Sequence, residues 1–304
     1  MTSNETPDLL SIVTARATAP VVPEVRALGD ALHAKFGNAA EAVLAYGSSL
    51  RGTALDDTLI DLYVLVSSYE AAHGGRIERL ANRLLPPNVY YLEHAFDGRT
   101  LRAKVAVVSL EQFEHKLSLA TSNPYFWARF AQPCALVHAR DDTARTRTLN
   151  ALAAAVETML ANAPALGDAA DARALWVAVL QATYRTELRP ESVSRAGQIV
   201  DADRAYYEGL AESARGQSAI SGAPRRGAAS VRRLWWRRRL AGKLLTVARL
   251  IKAGFTFQGG ADYIAWKISR HSGIEVTVTP WQRRHPILAA LLLAPRLYFR
   301  GGFR

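Results

Sequence analysis

A chain of 304 residues, 49% of them hydrophobic, can bury the cores of two modest domains, which excludes a chain that is disordered throughout. Its 38 Lys and Arg outnumber its 27 Asp and Glu, and the net charge of +11 favours a polyanionic partner: nucleic acid, a nucleotide or an anionic lipid surface. The single cysteine, Cys134, excludes an intrachain disulfide and a thiolate metal cluster and indicates a reducing compartment.

The first half of the sequence alternates helical and strand patterns. Apolar residues recur at helical spacing over 26–37, and the run 59–66 has the continuous apolar character of a buried strand, interrupted by one carboxylate, Asp61. This alternation predicts an α/β domain over residues 1–142. The other elements predicted there are strands at Glu41–Tyr46, Val89–Leu92 and Leu101–Ser109 and a helix at Glu70–Leu85.

The second half, residues 143–279, is predicted to form a mostly helical domain. Its alanine-rich composition favours helices, and a stretch rich in Gly, Ser, Ala and Arg, Ser213–Ser230, indicates a loop. Residues 280–304 form a separate tail. The predicted helices of the second half are Ala144–Ala163, Asp171–Leu188, Leu234–Phe255 and Asp262–Ser272.

The clearest chemical motif is a glycine turn followed by a strand carboxylate. Gly47, Ser48 and Ser49 end a predicted strand, and Asp61 lies twelve residues beyond, inside the next strand. Such a turn lets backbone N–H groups approach a triphosphate, and a strand carboxylate can hold the Mg²⁺ that bridges its phosphates. Phosphoryl and nucleotidyl transfer depend mainly on such positioning and charge neutralisation.

This arrangement resembles the nucleotidyltransferase superfamily related to polymerase β. That superfamily usually carries two carboxylates two residues apart on one strand face, but Asp61 is flanked by Leu59 and Tyr63. The second metal ligand must therefore come from elsewhere. The nearest candidates are Asp57 and Asp56, in the preceding loop.

Longer segments resemble one family in order and approximate spacing, the mitochondrial translocator assembly and maintenance proteins, which are peripheral phosphatidate cytidylyltransferases with bacterial relatives. The resemblance covers roughly residues 40–275. The segments that carry it are Val43–Ser48, Leu59–Leu62, Asn88–Tyr91, Lys104–Ser109 and Tyr125–Pro133.

The resemblance implies a nucleotidyltransferase domain joined to a winged-helix-like domain, with a C-terminal amphipathic segment that engages a membrane. It implies a Mg²⁺-dependent enzyme that transfers CMP from CTP to phosphatidic acid, giving CDP-diacylglycerol and pyrophosphate. Asp61 would hold the metal, with Asp57 or Asp56 as the nearest candidate for a second ligand, and Lys104 would neutralise triphosphate charge. The catalytic residues would be Asp61, Lys104 and Ser48, and the phosphates would lie against Tyr46, Gly47, Ser48 and Ser49.

Two later clusters fit a bound anion. Arg185 and Arg189 are four residues apart and would share a helix face, unless both pair with neighbouring acids on a solvated face. Lys252 precedes paired glycines and a predicted helix start at Asp262, where free backbone N–H groups would meet a lipid phosphate or a triphosphate. The basic residues along that helix are Lys267, Arg270 and His271. The alternative is a helix cap with Asp262 as the N-cap residue.

Two segments are predicted to contact an anionic membrane. One is the basic run 232–243, where Trp235, Trp236 and Arg238 suit the headgroup depth. The other is the tail, which contains no acid and whose apolar run, Pro286–Ala294, is too short to span a bilayer but suits its interface. The tail residues concerned are Trp281, Arg283, Arg284, Leu291 and Leu292.

The expected location is the cytoplasmic face of a membrane, bound peripherally, because residues 1–20 lack the basic start and the apolar run of a secretory signal. No segment reaches the roughly 18 to 20 apolar residues of a spanning helix. Nucleic acid is not the expected partner, and a homodimer is left open. The alternatives are a nucleotidyltransferase acting on RNA or another small acceptor, and a catalytically inactive nucleotide- or RNA-binding protein.

Overall fold

Five strands form one mixed β-sheet. The computed structural model describes residues 8–50, 59–163, 171–188, 193–216, 228–257, 259–262, 265–266 and 278–284. The strands are β1 (Ala40–Tyr46), β2 (Leu59–Val66), β3 (Asn88–Phe96), β4 (Arg99–Ser109) and β5 (Cys134–Ala139).

The strand order is β3-β4-β2-β1-β5, so that β2 lies in the middle of the sheet. The β2–β4 pair is parallel, and the other three pairs are antiparallel. Strands β1 to β4 confirm the existence of the predicted ones, but β3 continues to Phe96, well beyond the predicted Val89–Leu92. Strand β5 was not predicted, because its short apolar run carries no pattern that separates a strand from a loop.

The helices pack on both faces of the sheet. The predicted helix over Glu70–Leu85 is two helices, interrupted at Gly74 and Gly75, where glycine is unfavourable in a helix interior. Residues 213–216 and 228–230 of the predicted loop Ser213–Ser230 are helical, and residues 217–227 lie outside the described part. The helices are α1 (Leu9–Ala17), α2 (Pro23–Phe36), α3 (Tyr69–Ala72), α4 (Arg76–Leu84), α5 (Leu110–Leu117), α6 (Trp127–Phe130), α7 (Asp142–Asn162), α8 (Ala172–Tyr184), α9 (Val193–Ala202), α10 (Arg204–Gly216), α11 (Ala228–Thr256) and α12 (Pro280–Arg284).

The two faces of the sheet carry two different cores. Side chains alternate along a strand, so Ile60, Leu62 and Val64 of β2 face one side, where they pack with α2. The opposite face carries Tyr63 and Leu65. On that face a single buried cluster joins the sheet to α1, to α5–α10 and to Trp235 of α11.

That second core contains side chains from both sides of residue 142. Leu44 of β1 and Leu152 of α7 belong to the same buried cluster. The division into domains 1–142, 143–279 and 280–304 stays a prediction, as does the winged-helix-like character of the second half. After Ala139 the described residues contain helices and no strand, and no described helix has both the length and the apolar character that crossing a bilayer demands.

Candidate functional site

A row of side chains crosses the sheet at the end of β1. The register pairs Tyr46 with Asp61 across β1 and β2, and Asp61 with Lys104 across β2 and β4. Paired residues on neighbouring strands point to the same face. Asp61 and Lys104 alternate with residues of the first core, so they face the side of the sheet that carries the second core.

The turn after β1 brings its backbone against the Asp61 carboxylate. Gly47 has φ +86°, a left-handed conformation, and it begins a short 3-10 turn, Gly47–Leu50. A Cβ added at Gly47 would lie 3.5 Å from Oδ2 of Asp61. Only glycine adopts this backbone conformation without strain, so the sequence requirement at position 47 follows from the turn itself.

These residues line a polar cavity of about 170 Å³ between the sheet and the helices that cover it. The cavity includes five of the predicted site residues: Tyr46, Gly47, Ser48, Asp61 and Lys104. It also includes residues that the sequence analysis did not single out. They are Ala128, Arg129, Gln132, Tyr184, Glu187, Arg195 and Ile199.

Arg129 is the most deeply buried cation of the cavity, with 9% of its surface exposed. It lies on α6 and donates from Nη1 to the carbonyl oxygen of Tyr125, at 3.0 Å. Its guanidinium lies 3.9 Å from the carboxylate of Glu187 and 5.8 Å from the ring centre of Tyr46. A buried guanidinium positioned at the wall of a cavity suits recognition of a phosphate.

A second guanidinium lies just behind this wall. Arg249 of α11 stacks on the ring of Tyr125 at 3.7 Å, and Arg129 contacts the same ring at 4.4 Å. Burial lowers the pKa of Arg249. Burial by itself would raise the pKa of the Tyr125 hydroxyl. For Tyr125 the neighbouring cations Arg129, Arg249 and Lys104 outweigh burial, and the net pKa shift is downward. The potential around Tyr125 is therefore positive.

Asp61 places negative charge next to Tyr46. Burial raises the pKa of Tyr46 well above its usual value, and the negative charge of Asp61 raises it further. Tyr46 therefore stays a neutral phenol beside an acidic group. The cavity thus offers carboxylates, Asp61 on the sheet and Glu187 after α8, together with cations on the sheet and on the helices. Carboxylates and cations are the two kinds of group that a metal-bound phosphate needs.

A Mg²⁺ ion bound in this cavity would be held by few protein ligands. Mg²⁺ is commonly held by one or two carboxylates together with substrate phosphates. Asp61 supplies one carboxylate at the cavity wall, and the chain has a small, left-handed turn at Gly47 that leaves room beside it. Within the described residues no cluster of three His, Cys, Asp or Glu is placed to hold a metal. Asp56 and Asp57 lie outside the described part.

Three other predicted nucleotide contacts do not line the cavity. Ser49 is buried and donates its hydroxyl to the carbonyl oxygen of Tyr46 at 3.4 Å, so it stabilises the turn. The predicted helix over Asp171–Leu188 ends at Tyr184, because the chain turns at Arg185 and Thr186. Arg185 is exposed beyond that helix end, and Arg189 lies outside the described part.

Lys252 is a structural lysine on the buried side of α11. Its ammonium donates to the carbonyl oxygens of Leu85 and Pro87, both at 2.6 Å, and to Oδ1 of Asn88 at 3.1 Å. Burial, with a further effect from Arg249, lowers the pKa of Lys252 to about 8. The three acceptors fasten α11 to the segment between α4 and β3, away from the cavity. Lys267, Arg270 and His271 lie outside the described residues.

The predicted membrane contacts separate into buried and exposed groups. Trp235 and Arg238 were predicted to lie at a membrane, but they are buried, and Arg238 lies 5.8 Å from the ring centre of Trp127. That prediction is wrong for both, because they face the protein core from α11. Trp236 and Trp281 are 61% and 48% exposed. Side chains 283 and 284 and residues 285–304, with Leu291 and Leu292, lie outside the described part.

Two of the cavity residues that the sequence analysis did not single out lie within a segment that it did identify. Arg129 and Gln132 lie within the segment Tyr125–Pro133, which carries the family resemblance, but no residue type or spacing within it singles them out. Glu187 and Arg195 belong to distant segments that only the packing of α8 and α9 brings to β1 and β2. No protein family model matches the chain, and no curated protein sequence is significantly similar to it, so membership of the translocator assembly and maintenance family stays a prediction.

Proposed function

We propose that the protein is a Mg²⁺-dependent nucleotidyltransferase that makes CDP-diacylglycerol from CTP and phosphatidic acid at a membrane surface. The observation that carries the proposal is the contact between the left-handed turn at Gly47 and the carboxylate of Asp61, in a cavity whose walls hold Lys104 and Arg129. This arrangement supports binding of a triphosphate. The acceptor is inferred from the sequence resemblance and from the basic, acid-free helix α11.

In the proposed reaction a phosphate oxygen of phosphatidic acid attacks the α-phosphorus of CTP. A new P–O bond forms there, the bond from the α-phosphorus to the bridging oxygen breaks, and pyrophosphate leaves with the electron pair. The acceptor is ionised at neutral pH and needs no general base. Mg²⁺, when bound at Asp61, would neutralise charge that develops on the phosphates.

The protein groups have separate tasks in this proposal. The turn at Gly47 and Ser48 holds the triphosphate by backbone N–H groups. Lys104 and Arg129 approach it from the sheet and from α6, and they stabilise the negative charge of the leaving pyrophosphate. Glu187 lies 3.9 Å from the Arg129 guanidinium and orients it. Tyr46 stays protonated and can donate a hydrogen bond to a phosphate oxygen.

A second candidate is a nucleotide-binding protein without turnover. It is favoured by the surroundings of Asp61 on its own strand. Tyr63, where a second carboxylate is usual, is buried in an aromatic cluster with Phe126 and Phe130 and cannot bind a metal. Transfer to RNA or to a small alcohol would use the same site and differ only in the acceptor.

Release of pyrophosphate distinguishes these functions. The purified chain is incubated with Mg²⁺ and each nucleoside triphosphate, together with phosphatidic acid vesicles, an RNA oligonucleotide or no acceptor. The proposal predicts release with CTP and phosphatidic acid. Release with RNA alone would identify the other acceptor, and nucleotide binding without release would favour the inactive protein.

The site assignment is tested by two matched substitutions. Asp61→Asn removes the carboxylate charge at the cavity, and we expect a loss of activity of at least about 10²-fold, since charge stabilisation is the main catalytic contribution. Asp97→Asn makes the same chemical change at an exposed hairpin residue and serves as the control. Equal activity of both variants would contradict the role of Asp61.

A further inference from the structure

The exposed apolar side chains of the described residues are concentrated on two helices. Fifteen large hydrophobic residues are exposed in all, and ten of them lie on α4 and α11. Exposed apolar residues scattered singly over a surface are ordinary, but a concentration on two elements is not. The ten residues are Ile77, Leu80 and Leu84 on α4 and Trp236, Leu240, Leu244, Val247, Leu250, Ile251 and Phe255 on α11.

These side chains follow helical spacing, so they form a stripe on each helix. On α11 the steps of three and four residues from Leu240 to Phe255 keep the apolar side chains on one face. On α4 the residues 77, 80 and 84 do the same, and the fully buried residue of that helix is a polar one, Asn82. Helix α4 therefore directs its apolar face away from the core.

The two helices contact each other. The ammonium of Lys252 on α11 is fixed by the carbonyl oxygen of Leu85, directly after α4, at 2.6 Å. Arg249 of α11 donates to the carbonyl oxygen of Pro86 at 3.3 Å. These bonds hold the two exposed stripes on neighbouring elements, and we call the ten side chains together the α4/α11 surface.

The charge on α11 has one sign, whereas α4 carries one acid, Glu78, among its arginines. Helix α11 contains no acidic residue. Its exposed basic residues lie in its first half, beside Trp236, whereas most of the apolar side chains lie in the second half. Those basic residues are Arg232, Arg233, Arg237, Arg239 and Lys243.

We propose that the α4/α11 surface docks on an anionic lipid bilayer. The apolar half of α11 and the stripe of α4 would enter the interface, while the basic half would lie against the headgroups, each cation being attracted to an anionic leaflet. Nucleic acid fits less well, because Leu, Ile and Val cannot stack on bases. The choice of lipid rests partly on the proposed function, since phosphatidic acid is itself an anionic lipid.

Docking in this way connects the membrane to the active site. Helix α11 carries the surface on its exposed side and Arg249 on its buried side, where Arg249 stacks on Tyr125 beside Arg129. A phosphate headgroup at the first half of the helix would therefore lie on the same element that completes the positive wall of the cavity. The surface includes Trp236, which the basic run 232–243 already predicted at a membrane, and it is distinct from the predicted tail at 280–304.

The test compares charged substitutions on and off the surface in the full-length chain. The double variant Leu244→Glu/Ile251→Glu changes α11, and Leu80→Glu changes α4. Leu119→Glu is the control, because Leu119 is also exposed, at 66%, but lies outside both helices. Each variant is first checked for an unchanged urea unfolding midpoint, so that loss of binding cannot come from unfolding.

Binding is measured by sedimentation with vesicles of phosphatidylcholine alone or mixed with phosphatidylglycerol. We expect the α4 and α11 variants to bind mixed vesicles at least tenfold more weakly than the wild type and the control. Vesicles without anionic lipid should bind the wild type weakly. Undiminished binding of the variants would overturn the proposal, since the tail or another part of the chain would then be the anchor.

Two other occupants would also overturn it, and each has its own readout. If a second copy covers the surface, sedimentation velocity will show a wild-type dimer that the α11 variant dissociates, without any vesicle binding. If RNA covers it, fluorescence anisotropy with a labelled oligonucleotide will show binding that the variants lose. Phosphatidic acid dispersed in detergent tests the proposed function separately: a lack of pyrophosphate release there would refute the function and leave the vesicle result standing.

Discussion

Replacement of Gly47 by alanine tests whether the turn contributes to catalysis independently of its contribution to the stability of the fold. Gly47 has φ +86°, and an added Cβ would lie 3.5 Å from Oδ2 of Asp61. Gly98 provides a matched control. It has φ +70° in the β3–β4 hairpin, and an added Cβ there meets no atom within 4 Å.

The backbone cost of the two substitutions should be similar. An L-residue with a Cβ pays about 1–2 kcal/mol in the left-handed region, and both glycines occupy that region. Domains typically have about 5–15 kcal/mol of stability, so both variants should remain folded. The distance of 3.5 Å is an ordinary van der Waals contact, so the added Cβ does not clash with Asp61. When the backbone at position 47 relaxes to relieve its strain, however, the turn shifts relative to the carboxylate. A displacement of about 1 Å can cost about 10²-fold in rate.

The assay is pyrophosphate release together with urea unfolding for both variants. We expect each variant to lose about 1–2 kcal/mol of unfolding free energy, with a large loss of activity in Gly47→Ala alone. Equal activities at equal stability would show that the turn takes no part in catalysis. An activity loss in Gly98→Ala as large as that in Gly47→Ala would show that activity merely follows stability.

Three further predictions concern buried side chains. Trp235→Ala should cost about 3–5 kcal/mol in urea unfolding because the ring is buried, whereas the adjacent Trp236→Ala should change stability by no more than about 0.5 kcal/mol; similar losses would contradict the orientation of α11. Lys252→Met should cost about 2–4 kcal/mol by leaving buried acceptors unpaired. Burial lowers the pKa of Lys252 from 10.5 to about 8, so between these pH values the native state binds fewer protons than the unfolded state. The free energy of unfolding of the wild type, relative to that of Lys252→Met, should therefore rise from pH 8 to pH 10. A difference that does not change with pH would contradict the lowered pKa. Cys134, whose pKa burial raises to about 12, should react with a thiol-specific disulfide reagent at pH 8 only after unfolding, and rapid labelling of the native protein would contradict its burial.

The sequence by itself was sufficient to predict four of the five strands of the sheet and the centre of the site. Strand β2 was predicted with its observed bounds, because a continuous apolar run between polar segments is a strong local signal. The turn at Gly47 and the carboxylate of Asp61 were also predicted from the local sequence, because a glycine after a strand and a single acid inside a strand are unusual. Lys104 lies beside Asp61 because the parallel pairing of β2 with β4 places the two residues opposite each other.

Only the tertiary structure decided which side chains complete the site and which faces are buried. Arg129, Glu187 and Arg195 come from α6, from the turn after α8 and from α9, and no local pattern relates these segments to β1. The neighbours Trp235 and Trp236 have the same local chemistry, but a helix turns by about 100° per residue, so one enters the core while the other is exposed. The apolar face of α4 was equally invisible, because periodicity shows that a helix has an apolar face, while the direction of that face depends on what packs against it.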